Sequence, residues 1–328
     1  MLKLKNKLVW KDWLISILYG VVVACVFAVL ALLPLLNIFI IFWPVPYIYL
    51  SIRKGLTAGL NAILISALLV WLLWNPLYCI IFLMIVLFIF FAIRSLILFK
   101  VPVFEAIVLS SGAVLVALCM VIGGVYLYVQ KDLVIVIITS LRSTLAGSGG
   151  EMERILKAYQ NLGLLGKGLT LDGLFTQLEQ VFRMVVPSFL LIGSMIIGFL
   201  NYITSIWILK KKGTETLSPP PFIHWSLPSG VSMGLFTILL AAFIGSLLAL
   251  PNFDLVMLTI MNLVYFVFMV QGLSFCAFFL TYKKVPKGLQ IPLLLIGFVF
   301  LPYVISLLGM LEQFFHMRTI MLQQNKKL

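Results

Sequence analysis

The feature that most limits what this chain can fold into is a succession of apolar runs, too long and too closely spaced to be buried in water. Stretches near 13–36, 56–74, 77–99, 103–129, 184–209, 229–250, 255–280 and 290–310 are each predominantly apolar. They match the roughly 20 residues that a helix needs to cross about 30 Å of hydrocarbon. Only helices and closed barrels satisfy every backbone polar group where no water is available. Composition agrees, with 63% hydrophobic and 10% charged residues and a mean hydropathy of +1.20. Soluble domains hold about 45–50% apolar and about 25% charged residues, and a globule of the present composition would lack a polar shell. The expected fold is an all-α polytopic transmembrane bundle of eight or nine spans with an external amphipathic helical segment.

A shorter apolar stretch, 38–51, contains Pro44 and Pro46; proline removes backbone donors and kinks a helix, so this is expected to be a broken or re-entrant span. Counting it as a crossing makes the charges alternate. Basic residues cluster at Lys3, Lys5, Lys7 and Lys11, at Arg53 and Lys54, at Arg94 and Lys100, at Lys210 to Lys212, and at Lys283, Lys284 and Lys287. The loops at 34–37, 74–76 and 251–254 hold no lysine or arginine. The positive-inside rule then predicts a bacterial cytoplasmic membrane protein with its N-terminus in the cytoplasm and, over nine crossings, its C-terminus outside. Arg318, Lys326 and Lys327 in the tail oppose that last placement. The first apolar run follows lysines as in a signal sequence, but continues to Leu33 and reads as an uncleaved anchor. The net charge of +13 suits anionic lipid headgroups rather than nucleic acid, for which there is little polar surface to build a groove. Cys25, Cys79, Cys119 and Cys276 lie singly in apolar runs without a CxxC pair, indicating neither a disulfide framework nor a zinc site.

Four blocks follow: a membrane bundle over 1–129, an external segment over 130–183, a second bundle over 184–310 and a polar tail over 311–328. Within the external segment, 133–138 is apolar but too short to span, and Gly147 to Gly150 read as a hinge. Met152, Ile155, Leu156, Tyr159 and Leu162 recur at helical spacing, before a glycine-rich turn over 163–168. Thr170 is a suitable N-cap for a second amphipathic helix carrying Leu171, Leu174, Phe175, Leu178, Val181 and Phe182. These helices would rest on lipid, cover a cavity or dock a partner.

Charge inside hydrocarbon costs about 2.5–3.5 kcal/mol per residue on insertion scales, which draws attention to Arg94 and Glu105. They pair across the tight turn at Val101-Pro102, serve a functional role such as ligand contact, or make no contact. Asn61, Asn201, Asn262 and Gln271 fall within spans, where such groups hydrogen-bond between helices or meet a ligand. Asn262 and Gln271 are nine residues apart and lie on opposite faces of one helix. Gly20, Ala24 and Ala28 form a small-residue stripe fit for close helix approach, within the chain or to a partner.

No HExxH, GxGD, GxxxxGK or paired-carboxylate motif occurs, and Ser188, Ser194 and His224 sit at different expected depths. The chain is therefore not expected to be an enzyme or to hold a cofactor or metal. Phe222-Ile223-His224-Trp225-Ser226-Leu227-Pro228, Asn262-Leu263, Val270-Gln271-Gly272-Leu273, Leu308-Gly309 and the trio Phe314, Phe315 and Arg318 together resemble the YybS-like family of predicted bacterial membrane proteins, classed as a domain of unknown function. That resemblance implies cytoplasmic-membrane localisation and no established activity. The first half, with its short proline-containing second span and Ala24-x-x-x-Ala28, also resembles the substrate-binding subunits of energy-coupling-factor transporters, in which such an alanine pair meets the coupling subunit, and the shape-determining protein MreD. The expected function is a membrane-embedded binding or transport component for a small neutral or lipid-like molecule, acting with separate coupling subunits. The alternative is a scaffold in an envelope or division-related complex.

Overall fold

The computed structural model describes residues 10–146, 170–217 and 219–325, with positions 154, 155, 157, 158 and 160. Helices with described bounds run in the order α1 (Trp10–Leu32), α2 (Pro44–Lys54), α3 (Leu56–Leu73), α4 (Pro76–Leu98), α5 (Val103–Val129), α6 (Leu133–Ala146), α7 (Leu171–Lys211), α8 (Ser229–Leu247), α9 (Phe253–Tyr282), α10 (Lys287–Phe300), α11 (Pro302–Phe315) and α12 (Met317–Asn325), with 3-10 turns at Asn37–Phe42 and Phe222–His224. Among the described residues there is no strand. Among the described residues, seven helices are long and apolar enough to cross a membrane, and the bent pair α10–α11 would make an eighth if it were one span. The expected lysine cluster at 3–7, the hinge at 147–150 and the glycine-rich turn at 163–168 lie outside the described residues. So does most of the helix expected over 151–162, of which positions 154, 155, 157, 158 and 160 are helical.

The helices begin and end where local chemistry directs. Asn75 Oδ1 accepts from the Tyr78 backbone N–H at 3.1 Å, with Pro76 in the first turn of α4. Thr170 Oγ1 accepts from Gly173 N–H at 3.1 Å, as its side chain predicts. Gly55, at φ 105°, turns the chain between α2 and α3 in a conformation that other residues avoid.

The chain divides into two compact units, Met1–Glu179 with Gly193–Pro219, and Gln180–Ile192 with Pro220–Leu328. The expected block over 130–183 is thus divided, its larger part belonging to the first unit. In that unit α3 packs against α1, α2 and α4, and α4 against α5. Small residues of α3 make this possible, since Ala58, Gly59, Ala62, Ser66 and Ala67 are all buried. A Cβ on Gly59 would sit 2.6 Å from Ser51 Cβ, and one on Gly20 would sit 2.7 Å from the Ala62 carbonyl oxygen. Lipid tails are as apolar as leucine, so close packing of this kind holds membrane helices together. Large apolar side chains such as Leu18, Leu35, Leu72 and Leu127 remain on the surface, as a lipid-facing bundle requires.

The segment expected to be broken at its prolines comprises the 3-10 turn Asn37–Phe42 and then α2, which Pro44 opens in its first turn, where the N–H groups have no intrahelical acceptor. Lys54 Nζ reaches Asp12 Oδ1 at 2.8 Å, and Arg53 Nη2 donates to the Lys212 carbonyl at 2.8 Å. The end of α2 therefore returns beside the start of α1, so residues 37–54 traverse the height of the unit. Their 3-10 turn and 11-residue helix amount to about 28 Å at rises of about 2.0 and 1.5 Å per residue.

The separate amphipathic helix over 171–182 and the span over 184–209 are one continuous 41-residue helix, α7, with Pro187 inside it. At about 1.5 Å per residue it is about 61 Å long, twice the hydrocarbon thickness, so much of it must extend beyond the apolar layer. Within the first unit, its start packs against α6. Phe175, Val134 and Ile138 are buried, Arg142 lies over the Phe175 ring and pairs with Asp172 at 2.8 Å.

The single span over 290–310 is replaced by α10 and α11, bent by 106° at Leu301. Pro302 has no N–H to continue α10 and instead opens α11.

Candidate functional site

In the first unit, the turn 37–42 and the start of α2 form one wall of a cavity of about 400 Å³. Its lining includes Ala31, Ile41, Trp43, Val70, Trp74, Tyr78, Val86, Val114 and Ile197. No lining residue is charged. Pockets that take small molecules run from about 300 to 1,000 Å³. The cavity lies at the end of α1 and around the α3–α4 turn, away from the Lys54–Asp12 pair. Trp74 and Tyr78 are 39% and 54% exposed and mark its mouth, since amphipathic aromatic rings favour the membrane–water boundary.

The wall is held by aromatic packing and by a chain of hydrogen bonds. Trp43 stacks on Phe27 at 5.1 Å between ring centroids and tilts over Phe82 at 4.6 Å. Its indole N–H donates to the Tyr47 hydroxyl at 3.1 Å, Tyr47 donates to Ser66 Oγ at 2.7 Å, and Ser66 donates to the Gly20 carbonyl at 2.8 Å. Each hydroxyl uses its one proton and accepts one bond, so the polar atoms are satisfied in a dry interior. Asn201, fully buried on α7, donates through Nδ2 to the carbonyls of Ile41 and Ile197, each at 2.9 Å. Both of those residues line the cavity. Asn201 Oδ1 has no hydrogen-bond partner.

The second unit contains a polar cluster around α9. Gln271 Nε2 donates to Gln313 Oε1 at 2.9 Å, and Gln313 Nε2 donates to Ser232 Oγ at 3.1 Å and to the Leu227 carbonyl at 3.3 Å. Arg318 Nη1 donates to the carbonyls of Ile223 and Trp225, each at 3.0 Å, and Nη2 to Ser274 Oγ at 3.0 Å. Ser274 in turn donates to the Phe222 carbonyl at 2.6 Å or to that of Trp225 at 2.9 Å. Arg318 Nε lies 3.3 Å from Glu312 Oε1, an ion-pair distance without hydrogen-bond alignment. The Arg318 backbone N–H donates to Glu312 Oε2 at 3.3 Å. Burial lowers the Arg318 pKa and the Glu312 charge opposes that shift; a guanidinium stays protonated throughout.

Of the residues singled out from sequence, Asn201 borders the cavity, while Gln271 joins the second unit's cluster. Asn262 donates to Ser188 Oγ at 3.0 Å instead, so Asn262 and Gln271 do serve different partners. Asn61 is half-buried on α3. Arg94 and Glu105 make no ion pair: Glu105 is exposed, and Arg94 Nε is buried without a hydrogen-bond partner. Of the stripe expected to offer a partner interface, Gly20 is pressed against α3 and Ala24 is 2% exposed, so the chain's own helices cover that face. Sequence reasoning missed Trp43, Tyr47 and Ser66, which lie in apolar surroundings. It also missed Glu312, whose signal was a lone acid six residues before Arg318.

The family model described as "Predicted membrane protein (DUF2232)" matches residues 21–312. The chain is also 25% identical over 172 residues to "Uncharacterized protein YybS" of Bacillus subtilis (strain 168). That alignment covers 51% of this chain and 53% of the relative, so the chain spans about half the length of the curated protein it matches. No solved structure matches. Neither match extends to the energy-coupling-factor subunits or to MreD, and that likeness rests on residues such as Ala24 that are packed inside the chain.

Proposed function

Because the chain belongs to the DUF2232 family of predicted membrane proteins and holds an apolar cavity at the end of its first unit away from the Lys54–Asp12 pair, we propose that it binds a small neutral, lipid-like molecule within the bilayer. The observation that carries this proposal is a cavity of about 400 Å³ without a charged lining residue. An ionic ligand would lose its hydration there without gaining a partner, whereas an apolar one loses nothing. The Trp43–Tyr47–Ser66 chain keeps the wall rigid, which lowers the ordering cost of binding. The role proposed is binding rather than catalysis. Any transport step would draw on separate coupling subunits, since the sequence carries no GxxxxGK phosphate loop. The protein would sit in a bacterial cytoplasmic membrane with its lysine-bearing loops inward.

Purification in mild detergent, followed by native mass spectrometry and solvent extraction, tests this. The wild-type protein should carry a bound apolar molecule at a fixed ratio. Val86→Trp and Val114→Phe, which fill the cavity, should lower that ratio by about tenfold or more, equivalent to about 1.4 kcal/mol, while gel filtration and helical content stay unchanged. Equal recovery from all three proteins, or no bound molecule from any, would reject the proposal. Envelope-synthesis proteins recovered in place of such a molecule would favour the scaffold alternative.

A further inference from the structure

We propose that α10 and α11 form a re-entrant hairpin, which enters and leaves the bilayer on the lysine-bearing face of the second unit and is latched there by Arg318. The register of α11 against α9 carries this. The Tyr303 ring meets Tyr265 at 5.1 Å between centroids, and Ser306 Oγ donates to the Tyr265 carbonyl at 3.1 Å. One turn on, Gly309 lies against the backbone of Phe268 and Gly272, and Gln313 accepts from Gln271. Beyond α11, Arg318 reaches Ser274 and lies over the Phe278 ring, and the Met321 carbonyl accepts from the Tyr282 hydroxyl at 3.4 Å. Residue numbers rise together along both helices, so α11 and α12 run parallel to α9 and finish at its C-terminal end.

Lys283, Lys284 and Lys287 lie at that same end, and α10 starts there, with Gln290 Nε2 donating to the Val285 carbonyl. A helix that crossed the bilayer after α9 would run antiparallel to it and end at the opposite face. Here the chain returns to where it started. The 14 residues of α10 rise about 21 Å, short of the roughly 30 Å needed to cross. The 106° bend at Leu301 then turns the chain back. Two glycines permit the close return: a Cβ on Gly309 would sit 2.6 Å from the Gly272 nitrogen.

Once the hairpin has come back to the lysine face, Arg318 meets the carbonyls of Ile223 and Trp225, the Ser274 hydroxyl and the Glu312 carboxylate, which is only 6% exposed. A planar guanidinium can serve this many acceptors at once and a lysine ammonium cannot. The acceptors come from α9, from α11 and from the turn before α8, so one side chain ties the tail to three elements of the unit. The C-terminal placement outside, expected from nine crossings, is replaced by a tail on the lysine face.

Sidedness decides the matter in the full chain, with Cys25, Cys79, Cys119 and Cys276 replaced by alanine. Single cysteines at Lys284 and Gln323 are treated with a membrane-impermeant maleimide in intact cells and in inverted vesicles, with detergent-solubilised protein as the total. A hairpin labels both positions in the same preparation; labelling of the two in opposite preparations overturns it. For the latch, Arg318→Ala should speed hydrogen exchange over 317–325 by about tenfold or more, and Arg318→Lys should not restore the slow rate. Unchanged exchange in Arg318→Ala, or full recovery in Arg318→Lys, rejects the latch.

Discussion

Gly309 and Gly234 show how far a residue's meaning depends on what approaches it. Both are glycines in apolar helices. A Cβ on Gly309 would collide with the Phe268 carbonyl and the Gly272 nitrogen, whereas one on Gly234 would meet nothing within 4 Å. Gly309→Ala should therefore destabilise the second unit by about 1–3 kcal/mol through overpacking, read as a lower melting temperature in detergent. Gly234→Ala should leave melting unchanged. Asn201 makes the same point for polar groups. Its place inside an apolar run was legible in the sequence, but its bond to the Ile41 carbonyl was not, because Ile41 is 160 residues away. Glu312 escaped notice because a single acid near a helix end usually reaches water. Here it is only 6% exposed and lies beside the Arg318 guanidinium.

Among the elements, α2 is the clearest case of length misleading. Eleven residues give about 16 Å of helix, too little to span alone. The preceding 3-10 turn and the Lys54–Asp12 pair nevertheless carry the chain across the unit. Cysteines placed at Asn37 and at Lys54 should accordingly be labelled from opposite sides of the membrane. Labelling of both from one side would make residues 37–54 a surface hairpin. In α7 the reverse holds, since a sequence that reads as an amphipathic helix and then a span is one helix. Pro187 costs it a backbone bond without ending it, a loss that membrane helices make good from neighbouring groups. In α10–α11 the proline does end a helix, because Pro302 coincides with a reversal that packing against α9 holds in place.

At the scale of the whole molecule, the large apolar surface left outside the core can be accommodated only by lipid. Alkaline carbonate washing of vesicles should leave the protein in the membrane pellet, and its release would contradict every span described. The sequence by itself determined this much: an all-α membrane protein, the lengths of most spans, the lysine-bearing turns and the N-cap at Thr170. All of these follow from local composition and hydrogen-bonding chemistry over some 20 residues. Only the tertiary structure decided how residues 37–54 are built, that α11 runs back along α9 towards the end where α10 starts, and that an uncharged cavity forms around Trp43. Each depends on contacts between residues far apart in the chain, such as Lys54 with Asp12 or Arg318 with Ile223. Hydropathy is blind to them, because in a bilayer an apolar side chain satisfies its surroundings equally well against lipid or against another helix.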